Sequence, residues 1–411
     1  MKRRDIGSVL VGAAAYSALR PETAAAQSCT APCYAQTAAE IAAGLTPAKT
    51  EYIPSPVYDM ARYGISPDGA DNTAIVQAVF NMVKTTGGTM EFPYGDWAFY
   101  LDISGTGHLP VYIEGNGSTF RPYTSSPPNS AVVYANNSGY ASSNVTFRNC
   151  GFTARKYGSS SPGDVDYCIY LYNTSALFWS SSFSYGTDAA VYIFFGQYSE
   201  FWSCTFAAAT ASGASAGCIL DSAGLAASTN EVLFNRCKFF SNSNGLVLKG
   251  AQMTRVRDCT IQGTVSGGTA GIVLATDSTG SDCGGTLIEG CWFELNATAH
   301  IVGQGHQATV IRSNTFWPTQ ASGPQTSVVQ FGTSASPNPC YDLKIVDNNW
   351  LGGGEVTITI FHPPGNADTA TLTWHGNGSG AGGPILPTAY SLTHAGPTYI
   401  DGPNNVTSLS K

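Results

Sequence analysis

The stretch VTFRNCGF, residues 145–152, decides the fold because seven further segments of the chain align with it without gaps. The eight segments begin at Val145, Ala176, Ser199, Val232, Thr254, Thr286, Thr309 and Leu343. Their successive spacings are 31, 23, 33, 22, 32, 23 and 34 residues. A regular period of this length predicts a solenoid, with one segment per coil and a longer loop in every second coil.

Two positions of the repeat are apolar in every copy, and they predict which side chains form the core. The third position holds Phe147, Phe178, Phe201, Phe234, Val256, Ile288, Ile311 and Ile345, and the eighth holds Phe152, Phe183, Phe206, Phe239, Ile261, Phe293, Phe316 and Trp350. Because side chains alternate across a strand, both positions face inward only if the chain bends between them. We place that bend at the sixth position, which holds Cys, Ser or Asn.

A second short apolar run follows each repeat and predicts another face of the solenoid. The runs begin at Cys168, Ala190, Cys218, Gly245, Gly271, His300 and Val328. Residues 103–140 are expected to supply earlier, less regular coils. The whole pattern indicates an all-β chain folded as a parallel β-helix over residues 59–350, after a linker at 27–58.

Nine of the eleven cysteines fall into two groups, and the other two, Cys168 and Cys218, lie in the second apolar runs. Five occupy the sixth position of the repeat, where a small buried apolar filler is the simplest interpretation and a reactive or metal-binding thiol is the alternative. Cys29, Cys33, Cys283 and Cys340 lie outside the repeats and are the candidates for disulfide bonds, although the sequence does not pair them.

The first residues are typical of an export signal. Arg3-Arg4 precede a mildly apolar stretch at 7–19, and Ala24-Ala25-Ala26 offer small residues for cleavage. Residues 1–26 are therefore interpreted as a twin-arginine-type signal peptide, with an ordinary secretory signal as the alternative. No other stretch has the apolar length that spans a membrane. We expect a periplasmic or secreted protein whose oligomeric state the sequence does not give.

The charge balance limits the partners. Only 11% of the residues are charged, and the net charge is −8. Nucleic acid binding needs a basic surface that displaces counterions, so a nucleic-acid partner is not expected. An acidic glycan is compatible with this charge if a divalent cation bridges it to the protein.

Both open ends of the solenoid need covers, because exposed strand edges promote aggregation. Residues 72–84 predict an amphipathic helix with Asp71 as N-cap and Gly87-Gly88 after its end. We expect this helix to cover the N-terminal coil. Residues 355–375 predict a small antiparallel strand pair over the last coil, within a C-terminal cap and tail at 351–411.

The segment RYGISPDGADNTAIVQAVFNMVKTTGGTMEFPYGDWAFY, residues 62–100, resembles the N-terminal motif of the pectate lyase superfamily. It is most similar to the rhamnogalacturonase/epimerase-like group and its phage tailspike relatives. The matching positions are Tyr63-Gly64, Asp68-Gly69, Asn72-Thr73, Gln77, Gly87-Gly88 and Pro93-Tyr94-Gly95, while PYGDW departs from the commoner ending. The resemblance implies a right-handed parallel β-helix that binds a polymeric carbohydrate along one side and cleaves it by elimination or hydrolysis.

The strongest candidate site is a carboxylate pair in the second strand. Asp166 and Asp188 are 22 residues apart, one coil, and occupy the same outward position, with Tyr170 and Tyr192 alongside. Paired carboxylates suit a catalytic acid and base. With Asp164 they could instead hold calcium, which prefers oxygen ligands. The structural alternative is a pair of solvated turn aspartates that contact Arg155 or Lys156.

Further candidates are outward residues on other coils. Trp179 and Trp202, at the fourth position, form either a sugar-stacking patch or a stabilising aromatic ladder. Lys249 could contact a uronate carboxylate or be a solvated lysine. His300 and His306 are expected at the surface.

The fourth position also predicts an alternating charge ladder of Arg257, Glu289 and Arg312.

Together these patterns predict an exported enzyme that cleaves an acidic glycan, pectin-like or otherwise uronate-containing, by elimination or hydrolysis. The alternative is a non-catalytic, adhesin-like glycan-binding solenoid.

Overall fold

The computed structural model describes residues 36–46, 57–67, 69–124, 127–159, 163–207, 215–224, 228–264, 268–296, 299–317, 329–331, 342–351, 358–360, 372–379 and 398–400. Their strands pair in parallel from coil to coil and stack into three long faces, which we call sheets A, B and C. Sheets A and C are joined, because the strands Ala131–Arg148 and Tyr167–Trp179 run from C into A. The predicted all-β parallel β-helix is therefore confirmed.

Each coil contributes one strand to each sheet in the order A, B, C. Sheet A contains Val57–Asp59, Gly88–Glu91, Val111–Glu114, the ends of Ala131–Arg148 and Tyr167–Trp179, Glu200–Trp202, Leu233–Asn235, Arg255–Arg257, Leu287–Glu289, Val310–Arg312, Leu343–Val346, Leu372–His375 and Thr398–Ile400. Sheet B contains Asp96–Ala98, Thr119–Arg121, Gly151–Thr153, Ser182–Ser184, Thr205–Ala207, Lys238–Phe240, Thr260–Gln262, Trp292–Glu294, Thr315–Trp317, Asn349–Trp350 and Gly378–Ser379.

Sheet C carries the longest strands of the later coils. It contains Leu101–Asp102, the first parts of Ala131–Arg148 and Tyr167–Trp179, Ala189–Phe194, Ala216–Asp221, Asn244–Lys249, Ala270–Ala275, Ala299–Gly303, Val329–Phe331 and Ile358–Ile360. A two-stranded pair, Cys283–Gly284 with His306–Gln307, joins two of the loops that follow sheet C.

The strand register reproduces the sequence repeat. Phe147 pairs with Phe178, Phe178 with Phe201, and so on through the third position to Ile345. The rings of Phe178 and Phe201 are 4.9 Å apart and within 5° of parallel. Both predicted columns are buried. Burying one such ring stabilises the fold by about 1.5–3 kcal/mol, so the two columns contribute much of the hydrophobic free energy that holds each coil together.

The bend between sheets A and B lies at the fifth position of the repeat, not the sixth. All eight fifth-position residues have left-handed backbone: Asn149, Ser180, Ser203, Arg236, Asp258, Gly290, Ser313 and Asp347, with φ between 48° and 66°. This conformation turns the chain so that the sixth side chain points inward. Such a residue other than glycine is strained by about 1–2 kcal/mol, which stacking of the coils offsets.

The cysteines of the sixth position are buried, as predicted, and among the described residues they are free thiols. The thiol of Cys259, for example, donates to the carbonyl of Arg257 at 3.1 Å. The prediction that Cys283 is a disulfide candidate is wrong, because its buried free thiol donates to the carbonyls of Leu248 and Ala275. Burial raises its pKa to about 12. Cys29, Cys33 and Cys340 lie outside the described residues.

Helix α2 (Thr73–Thr86) packs on the first coil, as expected of a cap. Its N-cap is Asn72, one residue later than predicted, and Asp71 instead accepts a hydrogen bond from the backbone N–H of Thr73 at 2.9 Å. A short helix α1 (Ala38–Ala42) lies against α2, ahead of a 3-10 turn at Met60–Tyr63. A second 3-10 turn spans Pro128–Ser130.

The antiparallel pair predicted at 355–375 is wrong. Ile358–Ile360 and Leu372–His375 pair in parallel with the preceding coils of sheets C and A. The stretch LTWHGNGS, residues 372–379, repeats the pattern once more. Asn377 extends the column of Asn314 and Asn348: its side-chain oxygen accepts from the Asn348 amide, and its own amide N–H donates to the carbonyl of Ile345. Buried amide oxygens and N–H groups need partners, which favours another coil over a reversed strand.

Candidate functional site

The outward face of sheet C brings the two predicted carboxylates into adjacent coils. The backbone N–H of Asp188 donates to the carbonyl of Asp166 at 3.3 Å, so the two positions are direct neighbours. The side chains are tied in a crossed pattern: Thr187 donates to Asp166 Oδ1 at 2.7 Å, and the hydroxyl of Tyr167 donates to Asp188 Oδ2 at 3.3 Å. Asp188 is exposed and Asp166 is half-buried.

Three tyrosine rings extend from this pair along sheet C. Tyr170 and Tyr192 are register partners whose rings are 5.6 Å apart and within 3° of parallel. Tyr167 lies 5.5 Å from Tyr170 and 5.1 Å from Tyr192. We call these three residues the tyrosine platform. Burial raises the pKa of each phenol, and the nearby charges of Asp188 and Asp166 raise that of Tyr167 further, so all three stay protonated at neutral pH.

An acid that sequence reasoning missed closes the far end of the platform. Asp221 Oδ2 accepts from the Tyr192 hydroxyl at 2.9 Å and lies 3.2 Å from Lys249 Nζ. The backbone N–H of Ser222 donates to its other oxygen at 2.9 Å. Lys249 faces outward, as predicted, but in an ion pair with Asp221. The coil spacing could have identified Asp221 from the sequence, because Phe194, Asp221 and Lys249 share one register position.

The platform thus lies between two acidic ends. Asp188 and Phe194, the register partner of Asp221, are six residues apart, or roughly 20 Å at the rise of a β-strand. Beyond Tyr192 the same column holds Ile219, Val247, Val273 and Val302, which are buried. The aromatic column therefore ends at Tyr192 towards the later coils, while in the preceding coil it continues with Tyr134, the register partner of Tyr170. Rings flanked by carboxylates can bind the apolar face of a sugar while the acids contact its hydroxyl groups.

The three-carboxylate calcium site does not form as expected. Among the described residues, no group of three or more His, Cys, Asp or Glu side chains is arranged to hold a metal ion. Asp164 Oδ2 instead accepts from the backbone N–H of Lys156 at 3.0 Å, within its own loop. The Arg155 guanidinium lies 3.4 Å from the centre of the Tyr185 ring. Calcium on Asp166 and Asp188 alone stays a prediction.

The two predicted tryptophans lie on sheet A, apart from the carboxylates. Trp179 and Trp202 are register partners with rings 5.1 Å apart and within 5° of parallel. On the same sheet the charge ladder is confirmed: the Arg312 Nη2 atom lies 2.6 Å from Glu289 Oε2, and Arg257 pairs with the other oxygen. The two arginines hold the pKa of Glu289 below its usual value despite the burial of that carboxyl.

The prediction that His300 and His306 are surface residues is wrong. His300 is 1% exposed, and its Nδ1 accepts a hydrogen bond from the Asn296 amide N–H at 2.9 Å. His306 is fully buried against Phe331, and neither of its ring nitrogens has a hydrogen-bond partner among the described residues. Burial lowers the pKa of His300 to about 3 and that of His306 to about 4. Both side chains are therefore interior residues.

Comparison with known proteins supports the architecture. Residues 100–316 match the family model described as a right handed beta helix region. PfbA, a surface adhesin of Streptococcus pneumoniae, matches with a TM-score of 0.53 at 11% identity, over 83% of this chain and 92% of the other. A tailspike of Acinetobacter baumannii bacteriophage Fri1, a capsular polysaccharide depolymerase, matches with a TM-score of 0.53 at 15% identity, over 82% of this chain and 65% of its own.

The Agl-KA catalytic domain matches with a TM-score of 0.51 at 12% identity, over 85% of this chain and 69% of that domain. No curated protein matches the sequence. At these identities the likeness establishes the shared fold. In the described part of the chain, no helix has the length and apolar character needed to cross a membrane.

Proposed function

The chain belongs to the right-handed β-helix family, and from that premise we propose that it is an exported protein that binds an extended acidic polysaccharide on the tyrosine platform and cleaves it. The observation that carries the proposal is the crossed arrangement of Asp166, Thr187, Asp188 and Tyr167 beside three clustered tyrosine rings. The fold alone does not imply this activity, so the proposal depends on the site.

Two chemistries fit these residues. In hydrolysis, one carboxyl group protonates the leaving oxygen while the other activates water or attacks the anomeric carbon. Neighbouring strands place equivalent residues about 4.8 Å apart, which suits a carboxyl pair that acts on one bond. In elimination, a base removes the proton next to the uronate carboxylate, a carbon–carbon double bond forms, and the glycosidic oxygen leaves with a proton. Asp188 would be the base and the protonated Tyr167 a proton donor.

Lys249 and calcium would serve the acidic substrate. The Lys249 side chain is half-exposed and carries a positive charge 3.2 Å from Asp221 at the end of the platform. A calcium ion on Asp166 and Asp188 would bridge a uronate carboxylate to the negatively charged protein, with substrate and water oxygens completing its shell.

We also propose that residues 1–26 direct the protein out of the cytoplasm, to the periplasm or the exterior, by the twin-arginine route.

The alternative is a glycan-binding solenoid without catalysis. It is favoured by one feature of the site: each carboxylate already accepts a hydrogen bond from a neighbouring side chain, as fixed binding groups do. Product release from a panel of uronic-acid polysaccharides, with and without calcium, separates the cases. Ultraviolet absorbance that rises with reducing ends indicates elimination, and reducing ends alone indicate hydrolysis.

The matched variants are Asp166→Asn and Asp188→Asn, with Asp258→Asn as control. Asp258 is an exposed fifth-position residue at the corner between sheets A and B. Both site variants should lose turnover by a factor of about 100 or more, as expected when a catalytic acid or base is removed, and remain folded. Binding to one glycan without turnover by the wild type would identify the non-catalytic solenoid. Absence of both would contradict the proposal.

A further inference from the structure

A second aromatic surface lies on the outer face of sheet A, on a different sheet from the platform. A groove of about 320 Å³ is lined there by Tyr112, Leu177, Tyr198 and Glu200. Trp179 and Trp202 follow Leu177 and Glu200 by two residues on the same strands, so they share that outward face. The two indoles follow the groove along these strands and are not part of its lining. We call all six residues together the tryptophan groove.

The rings of the groove leave apolar faces open. Trp179 is 40% exposed and Tyr198 is 58% exposed. Carbon atoms in contact are about 3.5–4.0 Å apart, so the parallel indoles, whose centres are 5.1 Å apart, stack with an offset. An offset stack leaves part of each ring face uncovered. The two rings therefore form an apolar surface that spans two adjacent coils, with one ring on each coil.

The polar side chains of the groove favour a neutral, hydroxyl-rich ligand. Besides the rings, its lining contains Ser142, Asn144, Thr146 and Ser175, which carry hydroxyl and amide groups. Glu200 is its charged lining residue, and the Trp202 indole N–H donates to Glu200 Oε2 at 2.7 Å. The second carboxylate oxygen is an acceptor for sugar hydroxyls. Glu200 and the exposed Arg148, which is the register partner of Trp179, bring one charge of each sign, so the surface around the indoles has no net charge that favours a uronate. The Arg148 guanidinium lies 4.5 Å from the centre of the Tyr112 ring.

We propose that the tryptophan groove is a second carbohydrate-binding site, which takes neutral hexose units of a polysaccharide. The indoles contact the apolar faces of successive sugars, and Glu200 with the neighbouring hydroxyl and amide groups binds their hydroxyls. This site does not depend on the platform, and it stands whether or not the platform cleaves its ligand. It would hold the neutral part of a mixed polysaccharide, or a neutral wall glycan, on a different sheet from the acidic site.

The test compares variants of the full chain in titrations with neutral cello-, manno- and galacto-oligosaccharides, followed by calorimetry. Trp179→Ala with Trp202→Ala should raise the Kd of the best-bound oligosaccharide at least tenfold. Trp317→Ala is the matched control, because Trp317 is 38% exposed on sheet B and should leave the Kd unchanged. If the double variant fails to fold, Tyr198→Ala, at an exposed corner of the groove, is expected to give the same direction of change.

Two outcomes would overturn the proposal. One is a double variant that loses thermal stability but binds as the wild type does, because the indoles would then only stabilise the sheet. The other is loss of neutral-sugar binding in Tyr192→Ala, because the platform would then be the site of that binding. Glu200→Gln should keep the indole hydrogen bond and allow oligouronates into the groove, seen as new binding in a Tyr192→Ala background.

Discussion

The hydroxyl of Tyr192 donates a hydrogen bond to Asp221 Oδ2 at 2.9 Å, and the same oxygen lies 3.2 Å from Lys249 Nζ. One carboxylate oxygen thus joins three successive coils of sheet C. The Lys249 side chain is 38% exposed, and an ion pair so accessible to water contributes at most about 1 kcal/mol. The arrangement therefore orients the Tyr192 ring more than it stabilises the fold.

Tyr192→Phe and Tyr192→Ala should separate the hydrogen bond from the ring. The Phe variant loses one partly buried hydrogen bond, about 1 kcal/mol of unfolding free energy, and keeps the stacking surface. The Ala variant loses both and should weaken glycan binding at least tenfold. Thermal unfolding and binding titrations measure the two effects. If the Ala variant binds the glycan as tightly as the Phe variant does, the ring takes no part in binding.

Removing the Glu40 carboxylate should release helix α1 from the cap. Glu40 and Arg62 form a fully buried ion pair at 2.9 Å, and the Tyr63 hydroxyl also donates to Glu40 at 3.0 Å. Loss of one partner leaves a buried charge and costs about 3–5 kcal/mol. Glu40→Ala should therefore expose residues 36–46 to limited proteolysis, whereas Ile41→Ala, on the exposed side of α1, should not.

The same pair gives an acid dependence whose sign is defined. Hydrogen bonds from Arg62, Tyr63 and Thr37 outweigh burial and lower the pKa of Glu40 below its usual value of 4.5. Its contribution to stability is complete above that value and is lost as the pH falls through the lower pKa of the folded state. Protection of α1 against hydrogen exchange should fall in this acid range for the wild type and stay low throughout for Glu40→Ala.

His306 should make the coil beside Phe331 sensitive to mild acid. Its folded pKa of about 4 lies below the unfolded value of 6.5, so the unfolded chain takes up the proton first as the pH falls. Stability is lost between about pH 6.5 and 4, by about 3 kcal/mol in total. His306→Leu should flatten this part of the curve of unfolding free energy against pH. An unchanged slope would show that the residue is charged or exposed in solution.

Fifth-position substitutions should change stability in opposite directions. Arg236 is exposed with φ 55°, so Arg236→Gly relieves backbone strain and should raise the unfolding free energy by about 1 kcal/mol after the entropy of glycine is included. Gly290→Ala should lower it by about 1 kcal/mol or more, because φ is 66° and the added Cβ would lie 2.5 Å from Asp258 Oδ1. Denaturant unfolding measures both.

Much of this molecule could be read directly from the chain. The coil spacing, the strand register and the inward columns follow from the spacing of Phe147 and its equivalents, because each coil buries only its own apolar side chains against its neighbours. The outward phase of Asp166, Tyr170, Asp188 and Tyr192 followed from the same alternation. The bend was misplaced by one residue, since the residues that adopt left-handed backbone here include Ser and Arg as well as Asn and Gly.

What the periodicity could not supply is the set of contacts between side chains of different coils and loops. Asp221 joins Tyr192 and Lys249 only because strands of unequal loop length come into register. His300 is interior because its ring packs against Phe293 and Phe316 of sheet B. His306 and Cys283 are buried because the loops that carry them pair with each other and pack onto the coils. Local alternation determines which way a side chain on a strand points. Only tertiary structure decides what it meets, because its partners lie about 20 to 35 residues away along the chain.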